Sequence, residues 1–159
     1  MLTEMGKFWK KHGLHQRYPA ETAVFLQASG AGEYFMRLAM TLFGATRGGP
    51  GKVSVFSGLL FGTVSGSAVA NVVASGTFTI PMMRSAGFKA TTAAGIQAAA
   101  SSGGALMPPV MGAGAYMMLE IIPGVTYLQI IRAALIPAIL YYLSLFLITH
   151  FQARGTMAQ

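Results

Sequence analysis

The sequence predicts an all-α integral membrane protein in which transmembrane helices are combined with a re-entrant helical hairpin and a broken helix. Three observations carry that fold class. Only 15 of 159 residues are charged (11 Lys or Arg, four Glu and no Asp), and mean hydropathy is +0.56, whereas soluble domains run at about a quarter charged. Three stretches carry no charge at all: 31 residues over 53–83, 30 over 90–119 and 19 over 133–151. Each can reach or cross a hydrocarbon layer of about 30 Å, and a soluble fold of this size could not bury all three on every side. Finally, strings rich in helix breakers, SGSAVAN and SSGGALMPP, fall in the middle of two of these stretches rather than between them.

The net charge of +7 does not point to a nucleic-acid partner, because the basic residues sit singly at the ends of apolar runs. That placement is a topology signal, not a phosphate-binding patch. No cysteine is present, which excludes disulfides and Cys-based metal sites.

Taken in order, residues 1–20 are polar and basic and read as a solvated tail. An alternative is anchoring to anionic lipid through Trp9, Lys10 and Lys11. The tail lacks an apolar core of signal-peptide length, so no cleaved signal is expected. Residues 21–44 form a moderately apolar helix in which Glu33 and Arg37, four apart, share a face as an ion pair. Such a helix could span only with that pair hidden against protein. The string TRGGPGK at 46–52, with three glycines and a proline, reads as a loop.

The segment over 53–83 decides the topology. As one helix it would extend about 46 Å, well beyond the apolar layer, and SGSA at 65–68 interrupts it. Two arms, 53–64 and 68–82, would each rise only about 18 to 22 Å before the chain turns back. A hairpin puts Arg47 and Lys52 on the same side as Arg84 and Lys89, and the positive-inside rule makes that side cytoplasmic. The broken transmembrane helix over 90–119 then crosses outward to Glu120. A last transmembrane helix over 125–151 returns to His150 and Arg154, leaving a cytoplasmic tail at 152–159. Arg132, near the start of the returning helix, is placed to snorkel to the outer interface. Small residues recur at every fourth position: Ser54, Gly58, Gly62 and Gly66, then Ala70 and Ala74, then Gly95, Ala99 and Gly103. They allow helix backbones to approach closely but say nothing about substrate.

The two mid-segment breaks expose backbone where lipid cannot satisfy it. Pro109 removes an N–H, and Gly103 and Gly104 loosen the helix before it. Ser65, Ser67, Asn71, Ser101 and Ser102 offer only neutral oxygens, which suit a hard monovalent cation. Discontinuous helices at the membrane midplane hold substrates and ions in this way, although two kinked helices satisfied by Ser and Thr hydroxyls would leave the same pattern.

The strings GTVSGSAVANVVASGTFTIPMMRSAGF (62–88), SSGGALMPPVMGAGAYMMLE (101–120) and AALIPAILYYLSLF (133–146) closely resemble the large membrane subunit of the tripartite ATP-independent periplasmic (TRAP) transporters. The similarity is greatest to the TAXI-type, often fused, DctM-like permeases. The strings TRGGPGK and GAGEYFMRLA also fit, so the resemblance covers residues 22–155. It implies secondary active uptake of a carboxylate-bearing solute with a cation, usually sodium, in the cytoplasmic (inner) membrane of a bacterium or archaeon. A periplasmic solute-binding protein would deliver the solute, and the transport domain would move in the manner of an elevator. The resemblance makes SGSAVAN the tip of a re-entrant hairpin and SSGGALMPP an unwound helix. Ser65, Gly66, Ser67, Asn71, Ser102, Gly103, Gly104, Pro108 and Pro109 become candidates for the ion and substrate site, with sodium at Ser65, Ser67 and Asn71. Two departures accompany it: family members commonly carry glutamate where Gln97 stands, and the chain holds about one inverted repeat, without the other repeat or the small membrane subunit.

Other functions fit the residues less well. The string TRGGPGKV has Thr46 and Val53 where a phosphate-binding loop needs glycine and Ser or Thr. His12 and His15 lie in the tail and His150 at a membrane edge, so no buried nucleophile–His pair is suggested, and no organic cofactor site is apparent. Four scattered glutamates support neither paired-carboxylate chemistry nor a metal cluster. A membrane channel, or a structural fragment that transports nothing, is the stronger competitor to the transporter reading.

Overall fold

The computed structural model describes residues 29–46 and 48–156. The basic tail at 1–20, the first part of the expected 21–44 helix, Arg47 and the last three residues lie outside the described residues. Six α-helices and one 3-10 turn make up the ordered elements: α1 (Ala31–Phe43), α2 (Gly49–Ser65), α3 (Ala68–Ser85), α4 (Ala90–Ser102), the turn Gly103–Ala105, α5 (Ala113–Ile121) and α6 (Tyr127–Thr156).

The 46–52 segment is a shorter loop than its composition suggests, because α2 already begins at Gly49. Pro50 falls in the first helical turn, where its missing N–H has no partner to lose and its fixed φ suits a helix. The interruption at 65–71 is also shorter. Gly66 takes the left-handed conformation (φ 58°) that caps α2, its N–H donating to the Gly62 carbonyl. Ser67 then caps α3, its Oγ accepting from Ala70 N at 3.4 Å. Two residues therefore reverse the chain, and Asn71 lies inside α3.

α2 and α3 pack along their length as a helical hairpin closed at both ends. At its base, Gly51 near the start of α2 lies against Phe88 just beyond α3, and a Cβ on Gly51 would stand 3.3 Å from the Phe88 ring. The same base meets the far end of α6, where Ala153 and Thr149 touch Gly48 and Gly51. α4 starts at this base and climbs beside the hairpin. Its upper end is fastened to α6 by Tyr141, donating to Ala99 O at 2.8 Å, and Tyr142, donating to Ala100 O at 3.0 Å.

One helix among the described residues, over Tyr127–Arg154, is long and apolar enough to cross a membrane. Its 28 residues correspond to about 42 Å. Tyr141 and Tyr142 sit halfway along it. The end of α4, and Gly62 in the last turn of α2 packed on Gly104 beside it, therefore lie level with the middle of a membrane-length helix, and the bases lie level with its C-terminal end.

Close packing depends on the predicted small residues of α2. A Cβ on Gly58 would stand 2.9 Å from the Ala100 Cβ, and one on Gly62 would strike the Gly104 backbone. The Gly95 stripe behaves differently. Gly103 lies against the Tyr141 and Tyr142 rings, but a Cβ on Gly95 would meet nothing. The Glu33–Arg37 pair forms at 2.6 Å, with both side chains largely exposed (69% and 79%), so it is not hidden against the described residues. An exposed pair contributes little to stability.

Gly62→Ala should therefore lower the melting temperature of the purified chain, at an overpacking cost of about 1–3 kcal/mol. Gly95→Ala should leave it unchanged or slightly raised, because that position has open space and alanine favours the helix. Thermal unfolding of the two variants in one detergent checks the contrast.

Candidate functional site at the hairpin tip

The interior between α2, α3 and α4 is polar as well as apolar. Ser54, Ser57, Asn71, Ser75, Thr79, Gln97 and Ser101 are all buried, and no buried polar side-chain atom among the described residues lacks a partner. Gln97 stands at the centre. Its Oε1 accepts from Ser54 Oγ (2.7 Å) and Thr79 Oγ1 (2.6 Å), while its Nε2 donates to Ser75 Oγ (2.7 Å) and Ser101 Oγ (3.1 Å). Ser75 Oγ in turn donates to the Asn71 backbone carbonyl (2.8 Å), with Asn71 Oδ1 at 3.3 Å. Asn71 Nδ2 donates to Gly58 O on α2 at 2.7 Å, bridging the two arms beneath the tip.

Above this polar core the two breaks come together. A Cβ on Gly66 would strike the Met111 carbonyl and stand 3.1 Å from Val110 Cγ1, and one on Gly112 would lie 3.4 Å from Gly66 O. The hairpin tip thus sits against the loop that separates α4 from α5. Gly104 lies beside Gly62 and within 2.9 Å, measured from a built Cβ, of Asn71 Nδ2. Ser65 Oγ reaches Ser67 O and accepts from Ser67 N, both at 3.4 Å, the long limit of hydrogen bonding. The tip hydroxyls are thus only weakly engaged, whereas the Ser67 carbonyl accepts from Asn71 N at 3.0 Å. Four helix ends converge here: the C-termini of α2 and α4 present carbonyls, and the N-termini of α3 and α5 present amides.

Not every sequence candidate joins this cluster. Ser102 is exposed, and its hydroxyl folds back onto Ala98 O at 2.8 Å. Pro108 is buried and Pro109 exposed, their shared peptide bond being cis. The carbonyls of Pro109 and Val110 accept from Tyr127 Oη at 2.6 and 3.0 Å, and the Tyr127 ring stacks on Tyr116 with centroids 5.7 Å apart. An apolar cleft of about 790 Å³ opens between this loop, α5 and α6, lined by Leu106, Met111, Met118, Val125, Gln129 and Ile130 among others. With Gln129 as its one polar side chain among the described residues, it is not suited to hold a carboxylate.

Ser54, Ser75, Thr79 and Tyr127 were not among the sequence candidates. Asn71, Ser75 and Thr79 recur at every fourth residue of α3, and Gln97 and Ser101 do so on α4, so a polar stripe inside an apolar helix was the available signal. For Tyr127 there was none, because its partners lie 17 and 18 residues away.

Broken helices packed beside one membrane-length helix are an arrangement found in membrane transport proteins. The family described as "Tripartite ATP-independent periplasmic transporter, DctM component" matches residues 22–158, and this chain belongs to that family. It is 30% identical over 128 residues to the 2,3-diketo-L-gulonate TRAP transporter large permease of Escherichia coli, covering 80% of this chain and 29% of that protein. Over 124 residues it is 32% identical to the sialic acid TRAP transporter permease of Haemophilus influenzae, covering 78% of this chain and 20% of that one. The C4-dicarboxylate TRAP transporter large permease of Vibrio cholerae is 34% identical over 87 residues, which cover 55% of this chain and 19% of the relative. The chain thus spans less than a third of the length of these curated relatives. No solved structure matches it.

Tyr127→Phe should release the loop after α4. Loss of a hydrogen bond worth about 1–1.5 kcal/mol corresponds to roughly tenfold more open loop. The chain has no cysteine, so maleimide labelling of a single Val110→Cys reporter reads this directly. The labelling rate should rise about tenfold when Tyr127→Phe is added.

Proposed function

We propose that this chain is part of the transport domain of a TRAP-type secondary transporter that imports a carboxylate-bearing solute together with sodium. The observation that carries the reading is the meeting of the last turn of α2 with the end of α4 beside the midpoint of a helix long enough to span the bilayer, just before the hairpin reverses at Gly66 and Ser67. On this reading the α2–α3 hairpin is re-entrant, and its tip meets the broken α4–α5 segment near the membrane midplane of a multi-pass inner-membrane protein. The chain supplies about one of the inverted repeats.

Sodium would be held by neutral oxygens at the tip: the hydroxyls of Ser65 and Ser67, neighbouring carbonyls and Asn71 Oδ1, whose amide nitrogen is already committed to Gly58 O. Gly66, Gly103 and Gly104 let backbone approach, and Pro108 and Pro109 keep the following segment unwound, where Ser102 ends α4. A solute carboxylate would face the amides at the N-termini of α3 and α5. The relatives named above carry the names of organic acids, which supports a carboxylate-bearing solute. A periplasmic solute-binding protein and a small membrane subunit would complete a tripartite assembly, as the family description implies. Loading at the tip would couple to an elevator-like movement of the hairpin and its packed helices.

Coexpression with the remaining transporter segments and the binding protein should give sodium-dependent solute uptake in proteoliposomes. Ser67→Leu or Asn71→Leu should abolish it. Uptake that continues undiminished without sodium would overturn the coupling. Single cysteines at Thr46 and Ser85, at the two feet of the hairpin, should react with an impermeant maleimide from the same side of the membrane. Labelling from opposite sides would exclude the re-entrant hairpin.

A further inference from the structure

Gln97 is 1% exposed and uses the full capacity of a carboxamide, two acceptor and two donor interactions, on partners from three helices. The direction of the bonds is informative. Because Gln97 Nε2 donates to Ser75 Oγ, the Ser75 hydrogen is left to point at the Asn71 carbonyl and Oδ1. The Asn71 side chain then bridges to Gly58 O on the other arm, and the first helical bond of α3, from Asn71 N–H to Ser67 O at 3.0 Å, joins this residue to the tip. A chain of side-chain donors therefore runs from α4 through α3 to α2, crossing the hairpin one helical turn below its tip.

We propose that Gln97 is a positioning residue for the tip: by donating to Ser75 it commits Ser75 to Asn71, and so fixes the two arms of the hairpin relative to each other. An acceptor alone cannot do this. A carboxylate at 97 would still accept from Ser54 and Thr79, but it would have no hydrogen for Ser75 or Ser101. Ser75 would turn its own hydrogen toward the charge and abandon Asn71. A protonated carboxyl, with one O–H to donate, would restore the link.

Among the described residues, no ionised group faces Gln97. Lys52 on α2, bonded to Thr46 Oγ1 at 3.5 Å, Arg84 on α3 and Lys89 before α4 all lie toward the base of the bundle. From α6, Tyr141 and Tyr142 reach α4 but donate to Ala99 and Ala100 carbonyls, and α1 carries Glu33 and Arg37 paired on its exposed face. A carboxyl introduced at 97 would be desolvated, raising its folded-state pKa above its unfolded value. Its order would be present at low pH and lost as pH rises through the raised pKa.

The inference rests on the proposed function only in identifying the tip as the ion site, and its test does not use transport. Hydrogen exchange is followed on the tip peptide 62–72 of the membrane-reconstituted chain. Expressing it as protection factors removes the intrinsic pH dependence of exchange. Wild type should show constant protection from acid to alkaline pH, as should Ser57→Ala, which removes a buried hydroxyl bonded only within α2 to Ser54 O. Gln97→Glu should match wild type in acid and lose about tenfold protection at alkaline pH. Ser75→Ala should lose about tenfold at every pH, because the chain is cut beyond Gln97. Tip protection independent of pH in Gln97→Glu, or unchanged in Ser75→Ala, would overturn the proposal. If Gln97→Glu does not fold, Ser75→Ala decides it alone. A failure of sodium-coupled uptake with these exchange results intact would fault the transport reading and leave the positioning role standing.

Discussion

The carboxamide of Gln97 is the interaction on which the bundle depends, because it settles how three helices of small residues can hold together. α2, α3 and α4 have few large side chains to interdigitate. Phe61 and Met83 are the largest fully buried apolar residues among those described. In lipid, moreover, apolar surface gains little by leaving the solvent, so helix association relies on close van der Waals contact and on hydrogen bonds. Glycines at 58, 62 and 104 supply the first, and Ser54, Ser75, Thr79 and Ser101 around Gln97 supply the second. The two requirements reinforce each other. Hydroxyls as short as serine reach the Gln97 amide only because the backbones are already close.

Full satisfaction is what makes such a core tenable. A buried polar group without a partner costs roughly 1–3 kcal/mol in proteins, and a half-satisfied network would be worse than an apolar core. Here every buried polar side-chain atom described has a partner. The tip above is different in kind: its serine hydroxyl contacts are 3.4 Å long and its backbone is left-handed at Gly66. A well-ordered polar core thus supports a loosely engaged rim. On the proposed reading, the rim is where an ion could gain oxygens without breaking strong bonds.

The fold class was legible because its causes are compositional. Missing charges report the solvent, and glycine and proline strings inside apolar stretches report where helices stop. Boundaries were less legible, since the same residues serve two purposes. Gly49, Pro50 and Gly51 look like a loop, yet they open a helix, and SGSAVAN looks like seven irregular residues although only Gly66 and Ser67 leave helical structure. The meeting of hairpin tip and unwound loop lay beyond composition, because it depends on which helix faces which. Gln97 shows the difference most clearly. Similarity marked it as a departure from glutamate, but only the packing of Ser54, Ser75, Thr79 and Ser101 around it explains what an amide does there that an acceptor alone could not.

The fastening of the hairpin has a consequence for how it can move. On the proposed reading, loading at the tip would act on a unit whose base is clamped by Thr149 and Ala153 of α6, and whose neighbour α4 is tied to α6 by Tyr141 and Tyr142. Sliding the hairpin alone would break the backbone contact at Gly62–Gly104 and the Gln97 hydrogen bonds together, in a medium that offers no replacement partners. Moving α2, α3, α4 and α6 as one body would break none of them. Displacement of a rigid block is therefore the inexpensive motion for this architecture, while local rearrangement is confined to the weakly bonded tip and to the loop that Tyr127 holds. On the proposed reading, an elevator-like step would suit that ordering of costs: the polar core would travel intact, and the changes that admit or release a solute would occur at its rim.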